Sequence, residues 1–309
     1  MIPGPEHFWN LPTPKAVGAG VLGVLEQPVA EALVASGLLV PHDPGDQPDH
    51  PYIAAFRNCQ IYDQGFVDDA NRRRAIAAYF GLVSFVDHNV GRLVAALDDN
   101  ALSRDTRIIY TSDHGDNLGT RGLWGKSNMF EESAAVPLIM AGPEVPAGVA
   151  CREPVSLVDC FPTIIDCVGL APHADDGNLP GAPLLAIVGG AVAGRTVMSE
   201  YHAAGAATGA FMIRKGNFKY IYYVGMPPQL FDLEADPFET KDLGTDAGYR
   251  GVAADCETAL RKVVNPEAAD AQARRDQGAK IAELGGREAI LAKGSFSHSP
   301  VPGSKPIYN

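Results

Sequence analysis

Several things are scarce in this 309-residue chain, and each scarcity excludes something. Its five cysteines (Cys59, Cys151, Cys160, Cys167 and Cys256) are odd in number and form no CxxC pair, so neither a disulfide framework nor a structural zinc site is indicated. They read instead as small buried hydrophobes. No uninterrupted apolar stretch approaches the roughly 18 residues of a spanning helix, and the opening MIPGPEHFWNLPTPK lacks the basic-then-apolar order of a signal peptide. No membrane association and a cytoplasmic location are therefore expected. Positive charge is short too: 25 Lys and Arg against 37 Asp and Glu leave a formal charge of -12, which disfavours nucleic acid as a partner. The Arg72-Arg73-Arg74 run reads as a solvated helix face. No internal repeat is present.

What is there suffices for a sizeable core, with 46% apolar residues. Residues 1–70 are rich in Pro, Gly and Asp and read as a long covering loop with one short helix around Val29 to Ser36. From Asp69 to Asp98 the apolar residues Ile76, Tyr79, Phe80, Val83, Val86, Val90, Leu93 and Leu97 recur at helical spacing. That spacing predicts a long helix with one face packed on a sheet. Buried strands are expected at Arg107 to Thr111 and Val136 to Ala141, and a helix from Leu157 to Val168, ended by Gly169-Leu170-Ala171-Pro172. Helix followed by strand is the rhythm of α/β architecture. A Gly, Ala and Pro-rich connection spans 171–194. RTVMSEYH, AFMIRKGNFKYIYYV and PQLFDLEADPFETKDL then read as strands of a smaller antiparallel unit, with a hairpin turn at Arg214-Lys215-Gly216-Asn217. Residues 248–291 read as helical, followed by an extended tail to Asn309. The division expected is 1–170, a connection at 171–194, and 195–309.

The chemistry concentrates in RIIYTSDHGDNLGTRGLWGK, from Arg107 to Lys126. A short β-prone run ends abruptly in Ser112-Asp113-His114-Gly115, and strand ends are where α/β sheets place their sites. Asp113 offers a hard oxygen and His114 an imidazole nitrogen, a pair compatible with manganese, zinc, iron or calcium. The residues alone leave a second reading open, in which Asp113 caps the following turn and His114 bonds a neighbouring loop. Lys126, taken alone, reads as a surface lysine. Gly115, Gly119, Gly122 and Gly125 would let backbone pass close to a bound group, or simply mark a mobile loop.

Three ordered strings, TSDHGDNLGTRGLWGKSNMFEESAAVPLIMAGP, PVSLVDCFPTIIDCVGL and QLFDLEADPFETKDL, resemble the sulfatases of the alkaline phosphatase superfamily. The resemblance is to their C-terminal two-thirds, in particular the phosphonate monoester hydrolase and choline sulfatase group. It implies an alkaline phosphatase-like α/β/α sandwich, incomplete because its N-terminal strands are missing, with a smaller C-terminal antiparallel-sheet subdomain and a helical tail. It implies hydrolysis of a small-molecule sulfate, phosphate or phosphonate ester with one divalent metal ion, whether manganese, calcium or zinc. Asp113 and His114 become metal ligands by this resemblance, and Lys126 the cation for the transferring group's oxygens. His202, ending the strand Thr196 to Ser199 within Glu200-Tyr201-His202, becomes a substrate contact, against its reading as an ordinary histidine at a domain seam. The tail from Asp270 onward resembles an extension that relatives use to contact a neighbouring subunit, which implies a homo-oligomer.

The family's C/S-x-P-S-R nucleophile motif and its upstream acidic pair are not found in the sequence. Cys160-Phe161-Pro162-Thr163-Ile164 has the Cys and Pro but carries Ile where Arg belongs, and Cys160 reads as a core residue. Two expectations follow. Turnover by the isolated chain should be impaired, with a non-catalytic remnant or oligomer-forming module as the alternative. A doubly wound sheet lacking its first strands should also expose apolar faces and open edges.

Overall fold

The computed structural model describes residues 49–59 and 68–294. The helix expected around Val29 to Ser36 and the tail reaching Asn309 lie outside those residues.

Within the stretch expected as a covering loop, Tyr52, Ile53 and Phe56 recur at helical spacing, and they form the buried face of α1 (Pro51–Cys59). His50, just before it, stacks on Tyr223 and bonds the Pro227 carbonyl at 2.9 Å, a structural role. Asp68 caps α2 (Asp69–Asp99) by accepting the Asn71 N–H at 2.7 Å. At the far end Asn100 Nδ2 donates back to the Ala96 carbonyl. The helix forms as its spacing predicts, but the face is only partly covered: Ile76, Tyr79, Phe80, Val90 and Leu97 are half-buried, whereas Val83 is 48% exposed, Val86 44% and Leu93 69%.

The reason is the size of what stands beside it. β1 (Ile108–Thr111) and β2 (Leu138–Ala141) form a two-stranded antiparallel ribbon with Ile109 opposite Met140. Four residues of strand span about 13 Å, whereas the 31 residues of α2 span about 46 Å. The ribbon is itself half open. The expectation of buried strands is corrected here, since Ile139 is 57% exposed and Tyr110 lies at the surface. α3 (Cys160–Cys167) likewise leaves Phe161 and Ile164 exposed. The cysteines divide: Cys256 is buried, Cys160 and Cys167 are half-buried and Cys151 is exposed, so the reading of all as buried hydrophobes is also corrected. The connection at 171–194 contains an unexpected short helix, α4 (Leu184–Val188), which docks through the Leu184 N–H on Thr163 Oγ1 at 2.9 Å.

The best-packed region is an antiparallel meander of β3 (Thr196–Tyr201), β4 (Ala210–Lys215), β5 (Phe218–Tyr223) and β6 (Gln229–Asp232), in that spatial order. The β4–β5 turn falls at Gly216-Asn217, where Gly216 takes φ +56°. Alternate residues sort onto two faces. Ala210, Met212, Ile221, Tyr223 and Phe231 pack with Tyr52, Ile53 and Phe56 of α1 and with Leu123, Met129 and Phe130. Phe211, Ile213, Tyr220 and Leu230 meet Cys256 and Leu260 of α5 (Arg250–Val263). α6 (Pro266–Glu283) and α7 (Arg287–Ala292) follow, with Asp270 of α6 accepting the Gly209 N–H at 2.7 Å. The loop holding Leu123 to Phe130 therefore rests on this sheet. That is what positions the site.

Candidate active site

The chain leaves β1 through Ser112, whose Oγ donates to the His114 carbonyl at 2.8 Å. Asp113 Oδ1 accepts the His114 N–H at 3.0 Å, and its side chain is 82% exposed. His114 Nδ1 lies 2.8 Å from the Gly115 carbonyl. A carbonyl only accepts, so in this contact Nδ1 donates. Nε2 stands 3.3 Å from Asp113 Oδ2. Gly115 then donates to the Ser133 carbonyl at 2.9 Å, in a contact so close that a Cβ would sit 2.1 Å from the Glu132 carbonyl oxygen. Only glycine permits that approach.

The next residues fold the loop back. Asn117 is fully buried and donates twice to the Gly125 carbonyl, from its backbone N and from Nδ2, each at 2.7 Å. Asp116 Oδ1 accepts the N–H groups of Leu118 at 2.9 Å and Gly125 at 3.2 Å. Gly125 is thereby pinned beside residues 115–117, and Lys126 Nζ reaches His114 Nε2 in a close contact. Asp113, His114 and Lys126 are thus brought together, although Lys126 follows His114 by twelve residues. The glycines serve the turn-back: Gly119, Gly122 and Gly125 all take positive φ. Burial raises the phenol of Tyr79 on α2 above its ordinary value, with the Asp116 carboxylate adding to the effect, so α2 approaches this loop.

His202 is not part of this contact set. Its ring meets Phe211 edge-on at 5.2 Å, its Nε2 lies 3.8 Å from Glu200, and its carbonyl accepts Gln277 of α6 at 2.6 Å. Cys160 opens α3 with its thiol pushed up by burial and then by Asp159, the opposite of an activated nucleophile.

Beneath the loop lies a charge network that the sequence did not single out. Arg121 is only 4% exposed; its guanidinium bonds Glu132 Oε2 at 2.8 Å and the Phe238 and Glu239 carbonyls, and lies over the Phe130 ring. Lys219, fully buried, shares the sheet face of Ile221 and Tyr223 and bonds Glu131 and Glu239, each at 2.7 Å. Burial pushes the Glu239 carboxyl up, and the Lys219 ammonium opposes that shift. Two signals pointed this way: an arginine inside a glycine-rich loop, and the Glu of the D-P-F-E string.

The donor types fit a divalent ion as far as they go. A carboxylate oxygen and an imidazole nitrogen stand side by side, 3.3 Å apart. Among the described residues no group of three or more His, Cys, Asp and Glu is arranged to hold a metal, so the pair supplies two donors.

The sulfatase family model matches residues 37–170, and the model of the C-terminal region of N-sulphoglucosamine sulphohydrolase matches residues 119–265. The choline-sulfatase of Rhizobium meliloti is 41% identical over 59% of this chain and 35% of its own length. Arylsulfatase K of Mus musculus is 34% identical over 70% of this chain and 40% of its own. Among solved structures, the phosphonate monoester hydrolase of Agrobacterium radiobacter is 31% identical with a TM-score of 0.55, covering 62% of this chain and 41% of that one. A sulfatase from Bacteroides thetaiotaomicron, 24% identical over 78% of this chain and 54% of that one with a TM-score of 0.61, supports the fold alone. This chain spans less than half the length of the curated relatives it matches. Two overlapping family matches make residues 37–265 of this chain sulfatase-like, and the phosphonate monoester hydrolase and Bacteroides structures agree with that on the fold.

Proposed function

We propose that this chain carries the metal-ligand and anion-binding part of a hydrolase for small-molecule sulfate esters, with phosphate and phosphonate esters as chemical neighbours. The observation that carries this reading is the convergence of Asp113, His114 and Lys126 at one strand end. Asp113 and His114 would hold one divalent ion, manganese, calcium or zinc. When bound, the ion supplies Lewis-acid charge to the ester oxygens. Lys126 adds a second positive group, since such esters present several negative oxygens to any nucleophile. Its contact with His114 Nε2 keeps the ammonium at the strand end in the absence of an anion. His202 is retained as a substrate contact on resemblance alone. With no nucleophile motif in the sequence, turnover by the chain alone is expected to be very low. A nitrophenyl sulfate and a phosphonate ester, assayed with added manganese, test this directly. Robust turnover abolished by Asp113→Ala would keep the site and overturn the missing-nucleophile part.

A second reading is a non-catalytic, oligomer-forming module. Exposed apolar residues on and after α6 favour it, namely Ile281, Leu284 and Leu291. Calorimetry separates the two: no affinity for manganese, zinc or calcium at millimolar concentration would favour the module.

A further inference from the structure

Six residues between Leu118 and Ser127 take positive φ, and three of them are not glycine: Leu118 at +49°, Arg121 at +54° and Ser127 at +83°. Side chains are rarely held there unless the surroundings over-determine them, and such strain gathers at functional sites. Glu239, on the far side of the network, sits at +53° as well. Two strained residues 118 positions apart are tied to each other through the Arg121 guanidinium and the Glu239 carbonyl. We propose that Arg121 is a positioning residue for Lys126, and that buried Lys219 and Glu239, with the half-exposed Glu131, are the anchor through which it acts. The functional meaning of that position rests on the reading of Lys126 given above.

The path of hydrogen bonds supports a role beyond cohesion. Arg121 holds Glu132, whose carbonyl is packed against Gly115, and the next residue, Ser133, accepts the Gly115 N–H. Gly115 follows His114 directly, and its carbonyl accepts the Nδ1 proton. Glu131, the other neighbour of Glu132, donates its N–H to Glu239 at 2.7 Å and pairs with Lys219. One network therefore fixes both the loop that presents Lys126 and the turn that backs His114, and with them the spacing of the two side chains. Stability alone gives little reason for such a set, because well-packed apolar residues commonly replace buried ion pairs without loss. An apolar cluster, however, would specify the loop's position less sharply.

The test reads the approach of Lys126 to His114 itself, as a nuclear Overhauser effect between the Lys126 ε-methylene and the His114 ring in the full chain with labelled lysine. Arg121→Gly relieves the positive φ and removes the tether, together with the guanidinium's packing on Phe130. The Overhauser effect is expected in the parent protein and absent in Arg121→Gly, while resonances of the β3–β6 sheet stay in place. Arg121→Lys, which keeps the charge but not the planar fork, should restore part of it. An effect of parental intensity in a folded Arg121→Gly protein, or none in the parent, overturns the proposal. Should Arg121→Gly fail to fold, Glu132→Gln decides: a weakened effect supports positioning and an unchanged one overturns it. Titration with inorganic sulfate, comparing parent and Lys126→Ala, tests the underlying reading separately. Equal sulfate affinity there, together with no Overhauser effect in Arg121→Gly, would remove the anion role of Lys126 and leave the positioning intact.

Discussion

Asp159 is fully buried between two segments that the sequence leaves far apart. Burial alone would raise its carboxyl, but the Arg195 fork at 2.6 and 2.8 Å and the N–H groups of Ser156 and Ala182 outweigh that and hold it below its ordinary 3.8. A carboxylate with a lowered folded value contributes stability that is present above the ordinary value and lost as pH falls through the folded one. Arg195→Met leaves Asp159 buried without its partner, so we expect a loss of about 3–5 kcal/mol at neutral pH. The gap to the parent should narrow below about pH 4, as the carboxyl takes a proton in the variant and the parent loses its own pairing energy. Urea unfolding at pH 7 and pH 3.5 measures both, and a gap independent of pH would show that the charge of Asp159 is not what Arg195 holds. At this same scale Asp113, His114 and Lys126 could be named from their strings. Arg121, Lys219 and Asn117 could not, because their roles exist only through partners supplied by the fold.

At the scale of elements, α5 shows what a covered face contributes. Leu260 is fully buried against Phe211 and Ile213 of β4. Leu260→Ala should cost about 2–5 kcal/mol through reduced burial and a residual cavity, read as an earlier urea midpoint with an unchanged slope. A cost below about 1 kcal/mol would mean that α5 is not docked as described. Elements of this kind are legible in the sequence: the spacing of α2, the strands of the meander and the turn at Gly216 all announce themselves. α1 and α4 do not, since each is short and lies in a Pro and Gly-rich stretch. The exposure of β1 and β2 is equally illegible, because a short apolar run carries no information about how many strands stand beside it.

Across the whole molecule, apolar exposure is unevenly distributed. The meander keeps its large apolar side chains largely inside, as does its covering helix except at Val263, whereas α2, the β1–β2 ribbon and α3 present Leu82, Phe85, Leu93, Ile139, Phe161 and Ile164 to solvent. Patches of that kind bind apolar probes and partners. The chain is therefore expected to enhance the fluorescence of anilinonaphthalene sulfonate while folded, and Leu82→Gln with Phe85→Gln should lower that emission without shifting the unfolding transition. Emission no higher than that of an ordinary folded protein would show these faces to be covered.

By itself the sequence determined the family resemblance, the helical and strand periodicities and the identity of the residues at the end of β1, because short ordered strings and side-chain spacing are local properties. Tertiary structure alone decided that Lys126 returns to His114, that a largely buried set of charges holds it there, and that much of α2 stays exposed. Each of these depends on segments far apart in the chain meeting, and the composition of a segment does not say which distant backbone will lie against it.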